Sequence, residues 1–483
     1  MNTTIRLLKN TFYLAIADIA SPFISMFFVI YISRTLGTKG LGAYTSIIVF
    51  LFFFEKIAQL GLQHLIIRDI AVDKSKTKDY LSTSLYMGLI SSFLVLPFLF
   101  VLLRVLHYPA EISSCIKILS LSLFFFVLTQ YWISFFEGLQ RMEFKSFVTM
   151  VQVICRAGSG ILVVYLGYGV TGLIWSLLFC RILVCLLCFG IFIKLGIKPS
   201  LRPNWSLCGN LLKQTWTFFI ISLVTTTYWR IDIIMLSKIK GIVDVGFYSA
   251  AYRFFEILKG LSYCYIAALF PILASSFSNS KESFQRKFIL SIKYLFILTF
   301  PISIGTSILA KNIITSVYGV EFTNSTGVLQ VLIWSICFFP IALVFAKSLV
   351  ASRNQKFDLY GNVIAMSINV ILNFVFIHRY GYIGAAIATS VSICFFMFIQ
   401  YFFVSRVLYK IPFLGELVRP FIAGCSMGLF TYFVRNMNIF FVIMTSACIY
   451  TFVLFIIKSF SGEEIKIFRE LWQKKSLLIA IRD

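Results

Sequence analysis

The chain has 483 residues, 59% hydrophobic and only 13% charged, a balance that excludes a soluble protein with a water-facing surface. Its formal charge of +24 points at first to nucleic acid, yet no basic, aromatic-interleaved soluble segment is present to bind one. A polytopic membrane protein with excess Lys and Arg on its cytoplasmic side accounts for both properties.

In chain order, MNTTIRLLKN is followed by more than twenty mostly apolar residues, too long an apolar region for a signal peptide and without a small-residue cleavage site, so it reads as an uncleaved first span. Apolar runs of about 20 residues follow one another near 11–33, 44–61, 81–103, 116–136, 144–166, 170–193, 211–236, 245–273, 288–310, 328–349, 359–377, 381–405, 417–434 and 437–460. They predict an all-α protein of about 14 transmembrane helices. With the N-terminus inside, roughly 27 Lys and Arg fall in cytoplasmic segments against roughly 9 outside, which predicts that both termini are cytoplasmic.

The second predicted span places Glu55, Gln59 and Gln63 four residues apart, one polar stripe on a Phe- and Leu-rich helix. Counted from Tyr44 at 1.5 Å per residue, Glu55 lies about 16 Å deep, near the midplane. Lys56 points about 100° away from that stripe.

The stretch 228–259 carries the strongest functional signal. Arg230 and Asp232 lie in the seventh predicted span, and Arg253, Glu256 and Lys259 in the eighth. An ionisable group in hydrocarbon costs roughly 2.5–3.5 kcal/mol even on lenient scales, so five of them must face one another or a wet cavity. Arg253, Glu256 and Lys259 recur every three residues along one slowly drifting face, where Glu256 neutralises either cation. One reading is a translocation path; the other is an ion-pair cluster that only locks two helices.

The rest of the sequence offers no chemistry. Eleven cysteines sit almost entirely in apolar spans, and Cys185 and Cys188 form a CxxC with no polar neighbour to lower a thiol pKa. His64, His107 and His378 are scattered, and no phosphate-binding glycine loop, metal motif or catalytic triad appears. The expectation is a non-enzyme without metal or cofactor. The C-terminal EEIKIFRELWQKK alternates apolar and charged residues at helical spacing and reads as an amphipathic helix on the inner membrane surface.

Internal repetition organises the spans. Ser33-Arg34 with Gly42-Ala43-Tyr44-Thr45 returns about 204 residues later as Ser237-Lys238 with Gly246-Phe247-Tyr248-Ser249, and Tyr168-Gly169 returns about 212 residues later as Tyr380-Gly381. Glu55 is expected to correspond to Glu256. Six spans separate the copies, which predicts two parallel six-helix lobes with substrate between them.

In combination, SRTLGTKGLGAYTS, LGL, RDIA, RIDIIML, VGFYSAAYRF, YGVEF, INVILNF and RYGYIGAAIAT resemble the polysaccharide-transporter branch of the multidrug/oligosaccharidyl-lipid/polysaccharide exporter superfamily, over nearly the whole chain. The resemblance implies a V-shaped fold like that of the multidrug exporters: lobes at 1–204 and 205–410, two additional helices within 411–460 and a cytoplasmic tail at 461–483. It also implies a flippase of Wzx type that exports an O-antigen-like sugar repeat on undecaprenyl diphosphate from the bacterial inner membrane. The expected partners are the lipid-linked oligosaccharide, membrane lipids, and a polysaccharide polymerase with its chain-length regulator. Candidate substrate-binding residues are Arg34, Arg230, Arg253, Lys259, Gln59 and Gln63; candidates for coupling or gating are Glu55, Asp232 and Glu256. The alternatives are a lipid II flippase, a drug or cation antiporter, and a structural protein of the envelope. Cations outnumber carboxylates within the spans, and that balance favours an anionic ligand.

Overall fold

The computed structural model describes residues 3–197, 204–408, 412–460, 462 and 464, with the side chains of 3–19, 278, 279 and 281 left out. The expected amphipathic tail thus lies outside the described residues except for Gly462 and Glu464. Among the described residues the fold is helical, without strands. The first half comprises α1 (Thr3–Gln59), α2 (Leu62–Val72), α3 (Thr77–Val105), α4 (Ala110–Ser120), α5 (Ser122–Gly138), α6 (Met142–Tyr165) and α7 (Gly169–Lys194). There follow α8 (Trp205–Ile239), α9 (Ile242–Asn279), α10 (Lys281–Ile308), α11 (Ala310–Tyr318), α12 (Ser325–Leu332), α13 (Ser335–Ala351), α14 (Gln355–Val407), α15 (Leu414–Val434) and α16 (Ile439–Ile456).

Helix is the required state for such a sequence, because hydrocarbon offers no partner to a free backbone N–H or C=O. Eleven of the described helices are long and apolar enough to cross a membrane, and α4 with α5, bent by 45°, supplies a twelfth span. Of these, α1 and α14 are each two helices joined at a non-helical glycine, Gly37 (φ 66°, ψ −168°) and Gly381 (φ 58°, ψ −134°). Dividing both recovers the fourteen spans expected from hydropathy.

The described residues form two compact units, which cut across the boundaries of the sequence repeats. One comprises the chain up to Arg253 together with Val317–Val328 and Asn362–Thr389; the other comprises Phe254–Ser316, Leu329–Gly361 and the described residues from Ser390 onward. The first unit closes around Phe50, Tyr131, Phe135, Phe136 and Phe192, all fully buried. In the second, Phe284, Phe288, Phe339 and Phe345 are buried in the same way, and Gly424 and Gly428 on α15 let α10 approach closely. A Cβ at these two positions would lie 2.4 Å from the Phe300 ring and 2.6 Å from Ile304, the small-xxx-small arrangement of membrane helix pairs.

The sequence repeat is visible in the backbone of the first unit. Gly37 and Gly241, about 204 residues apart, both have positive φ and both precede a new helix; Gly169 and Gly381 do the same about 212 residues apart. Just beyond the first pair, a Cβ on Gly42 would fall 1.8 Å from the Ile242 carbonyl oxygen, and one on Gly246 would fall 2.1 Å from that of Thr38. Thr38 and Ile242 are themselves one repeat apart, so the two helices cross backbone to backbone in a reciprocal, locally two-fold contact.

Candidate translocation site

Glu55 lies deep in the first unit, 2% exposed, and its Oε1 is 2.6 Å from the Arg181 guanidinium on α7. Arg181 also donates to the Ser122 hydroxyl at 2.7 Å and stacks over the Phe126 ring at 4.6 Å. Gln59, one turn along α1, is equally buried; its side-chain oxygen accepts from Lys56 at 3.2 Å and its carbonyl from the Tyr131 hydroxyl at 3.0 Å. The stripe stops there. Leu60 (φ 52°) and Gly61 (φ 70°) end the helix, so Gln63 sits on α2 and does not continue the Glu55–Gln59 face. Period-four spacing alone could not reveal this, because a leucine in the left-handed region leaves no mark in hydrophobicity.

Arg156 and Arg181 lie within predicted spans outside the charged stretch 228–259, and in the fold both come within electrostatic range of one tyrosine. Tyr44, 3% exposed, packs edge-on against Phe28 at 6.0 Å, and the charges of Arg156, Arg253 and Arg181 all reach it. Arg156 Nη2 donates to the Ser25 hydroxyl at 2.8 Å, with its guanidinium 6.0 Å from the Phe28 ring. Spacing along the chain gives no hint of this cluster, since its members come from α1, α6, α7 and α9.

The other candidates occupy varied settings. Asp232 is 3% exposed and accepts from the Tyr248 hydroxyl, which in turn lies 3.3 Å from that of Thr389; its second oxygen accepts from the Ile233 amide at 2.8 Å. Those bonds join α8, α9 and α14. Arg230, half-buried, lies over the Tyr252 ring at 5.9 Å. Arg34 is exposed, and its Nε donates to the Val317 carbonyl at 2.8 Å, near the end of α11. Lys238, the repeat counterpart of Arg34, donates to the Leu106 carbonyl at the end of α3. A cation at a helix C-terminus is electrostatically favourable, and the two contacts form a matched pair of clasps. Glu256 and Lys259 are half-buried on the part of α9 that belongs to the second unit, with Lys259 over the Phe255 ring at 5.6 Å. The offset set by the glycine crossing places Lys259 opposite Glu55 in the repeat, with Glu256 one turn earlier. The expected Glu55–Glu256 correspondence is corrected accordingly.

Within the second unit, α10, α15 and α16 form an open apolar cavity of about 820 Å³ lined by Pro301, Leu309, Met427, Tyr450, Leu454 and Phe460, among others. Beside it Lys293, 5% exposed, is held by Glu464 at 3.1 Å and Glu416 at 3.4 Å, and the Tyr294 hydroxyl donates to Glu464 at 2.7 Å. Lys293 is therefore doubly compensated.

A family model described as "Polysaccharide biosynthesis protein" matches residues 7–277, more than half of the chain, and the MatE model matches 218–375. A Shigella flexneri protein named as an O-antigen transporter is 24% identical over 379 residues, covering 75% of this chain and 89% of that protein. A Haloferax volcanii protein named as a low-salt glycan biosynthesis flippase is 23% identical over 393 residues, covering 80% and 81%. Among solved structures, the lipid II flippase MurJ in an inward closed conformation superposes with a TM-score of 0.79 at 19% identity, covering 92% of this chain and 98% of that one. An inward-facing multidrug resistance MATE transporter of the MOP superfamily gives 0.62 at 16% identity, covering 80% and 97%. At such identities the superpositions establish the fold, which is MATE-like. The family match then decides the membership: this chain belongs to the polysaccharide biosynthesis protein family, the polysaccharide-transporter branch of the multidrug/oligosaccharidyl-lipid/polysaccharide exporter superfamily, and is a multi-pass membrane transporter, not an enzyme.

Proposed function

We propose that the protein is a flippase that moves an undecaprenyl-diphosphate-linked oligosaccharide, the repeat unit of an O-antigen or similar surface glycan, from the inner to the outer leaflet of the bacterial cytoplasmic membrane by alternating access. Both termini are cytoplasmic in this reading, and the lobes at 1–204 and 205–410 move against each other. The observation that carries it is the set of cations within the spans: Arg156 at the Ser25–Phe28 face of α1, Arg181 paired with Glu55, and Arg253 within electrostatic range of the same buried Tyr44. Cations at membrane depth suit a diphosphate, whose negative charges need partners once stripped of water. The apolar cavity of the second unit has the chemistry of a polyprenyl chain. Arg253, Arg230 and Lys259 are the substrate-binding residues of this account, with Glu55, Asp232 and Glu256 for coupling. Arg34 is better assigned to its helix-end clasp.

An antiporter of organic cations would need carboxylates available to its ligand, whereas Glu55 is held by Arg181 and Asp232 by Tyr248. A lipid II flippase is the second reading favoured by a specific observation, the superposition on MurJ. Deleting the gene and analysing lipid-linked glycans separates the three. Accumulation of a surface-polysaccharide intermediate on the inner leaflet is the expected result; accumulation of lipid II supports the second reading, and drug hypersensitivity with no accumulated glycan rejects both.

A further inference from the structure

Arg156 belongs to none of the charged stretches that stand out in the sequence. It lies on α6, about 21 Å along from Met142 at 1.5 Å per residue, and so far from either end of that span. Resting on the functional reading above, we propose that Arg156 is a further substrate-binding residue, whose guanidinium fork takes a phosphate of the lipid-linked diphosphate.

Three observations point there. First, the charge has no carboxylate partner among the described side chains; its contacts are the Ser25 hydroxyl and the Phe28 ring. The neighbouring Arg181 shows the contrast, since Glu55 and Ser122 already engage its guanidinium. An uncompensated cation inside a span is costly and is kept where it has a use. Second, Arg156 Nε is fully buried and has no hydrogen-bond acceptor among the described side chains. A buried donor left unmet is itself unfavourable, and a phosphate oxygen would satisfy it. Third, the fork is oriented in advance: Nη2 is fixed by Ser25, and α6 approaches α1 closely at Gly160, where a Cβ would lie 2.5 Å from the Phe28 ring. A planar guanidinium presents Nε and Nη2 along one edge, the edge that binds a phosphate through two parallel hydrogen bonds, and of the two N–H groups on Nη2 Ser25 takes one. A purely structural role, pinning α6 to α1 through Ser25, would leave Nε unexplained.

The test uses purified full-length protein in nanodiscs, titrated with a polyisoprenyl diphosphate that carries no sugar and with the matching polyisoprenol. Wild type is expected to prefer the diphosphate. Arg156→Gln should weaken diphosphate binding about ten-fold or more, the effect of losing a charge-assisted hydrogen bond, while binding of the alcohol stays unchanged. Wild-type protein that does not distinguish the two lipids overturns the functional reading itself. Wild type that does distinguish them, with Arg156→Gln retaining the full preference or losing both lipids equally, overturns the assignment of Arg156 alone. Should Arg156→Gln fail to reach the membrane, Arg156→Lys replaces it: the ammonium keeps the charge without the fork, so a reduced preference for the diphosphate is expected, and an undiminished one refutes the two-bond contact.

Discussion

Removing one member of the Glu55–Arg181 pair strands an ion among apolar side chains. Glu55→Leu or Arg181→Met alone is therefore expected to cost about 3–5 kcal/mol, whereas the double replacement recovers most of it, because a well-packed apolar pair is often as stable as a buried ion pair. Thermal unfolding in nanodiscs measures this, and a double variant as unstable as the worse single one would contradict it. The milder Glu55→Gln and Glu256→Gln are expected to slow turnover more than they weaken binding, and Arg253→Ala to weaken binding chiefly; separate binding and transport assays resolve the two effects. At this scale the sequence showed which residues were out of place in hydrocarbon but not whom they meet. Glu55 announces itself within a Phe-rich run, while Arg181 lies 126 positions away on another helix and is matched only by folding. The correspondence of Glu55 with Glu256 failed for a related reason, since matching charge types ignored the register that the Gly42–Gly246 crossing imposes.

Between elements, the tightest contacts are made by glycines. Because a Cβ at Gly42 or Gly246 would overlap a backbone carbonyl, which cannot swing aside as a side chain does, Gly42→Ala and Gly246→Ala should each lower the thermal midpoint. Gly190→Ala on α7 meets nothing within 4 Å and should be neutral or gain about 0.5–1 kcal/mol from backbone entropy. Equal effects at all three positions would remove the crossing from the account. The spans themselves were legible because hydrocarbon forces each one into helix and makes it a long apolar run. Breaks and pairings were not: Leu60 and Gly61 interrupt the polar stripe without a proline, and the Gly424–Gly428 seam lies among ordinary small residues in a span already called apolar.

For the whole molecule, orientation and energetics are the open claims. Cysteine labelling should place Lys74 and Lys281 in the cytoplasm and Lys39, Lys240 and Glu321 outside; Lys74 and Lys240 on the same side would break the parallel-repeat topology. With that orientation, a diphosphate carrying about two negative charges leaves an inside-negative cell downhill, by roughly 4–5 kcal/mol at 100 mV, so no ATP site is needed. The family and its fold were legible over nearly the whole chain because the repeated glycine motifs mark both copies, whereas the cation cluster required α1, α6, α7 and α9 to be brought together. The most direct measurement follows a fluorescent polyprenyl-diphosphate oligosaccharide across proteoliposome membranes while the potential alone is varied. Protein-dependent movement that slows when the potential is collapsed, and is lost in Arg253→Ala, is the predicted result; transport that ignores voltage and tracks only a proton or sodium gradient, or no movement of the lipid while organic cations cross, would contradict it.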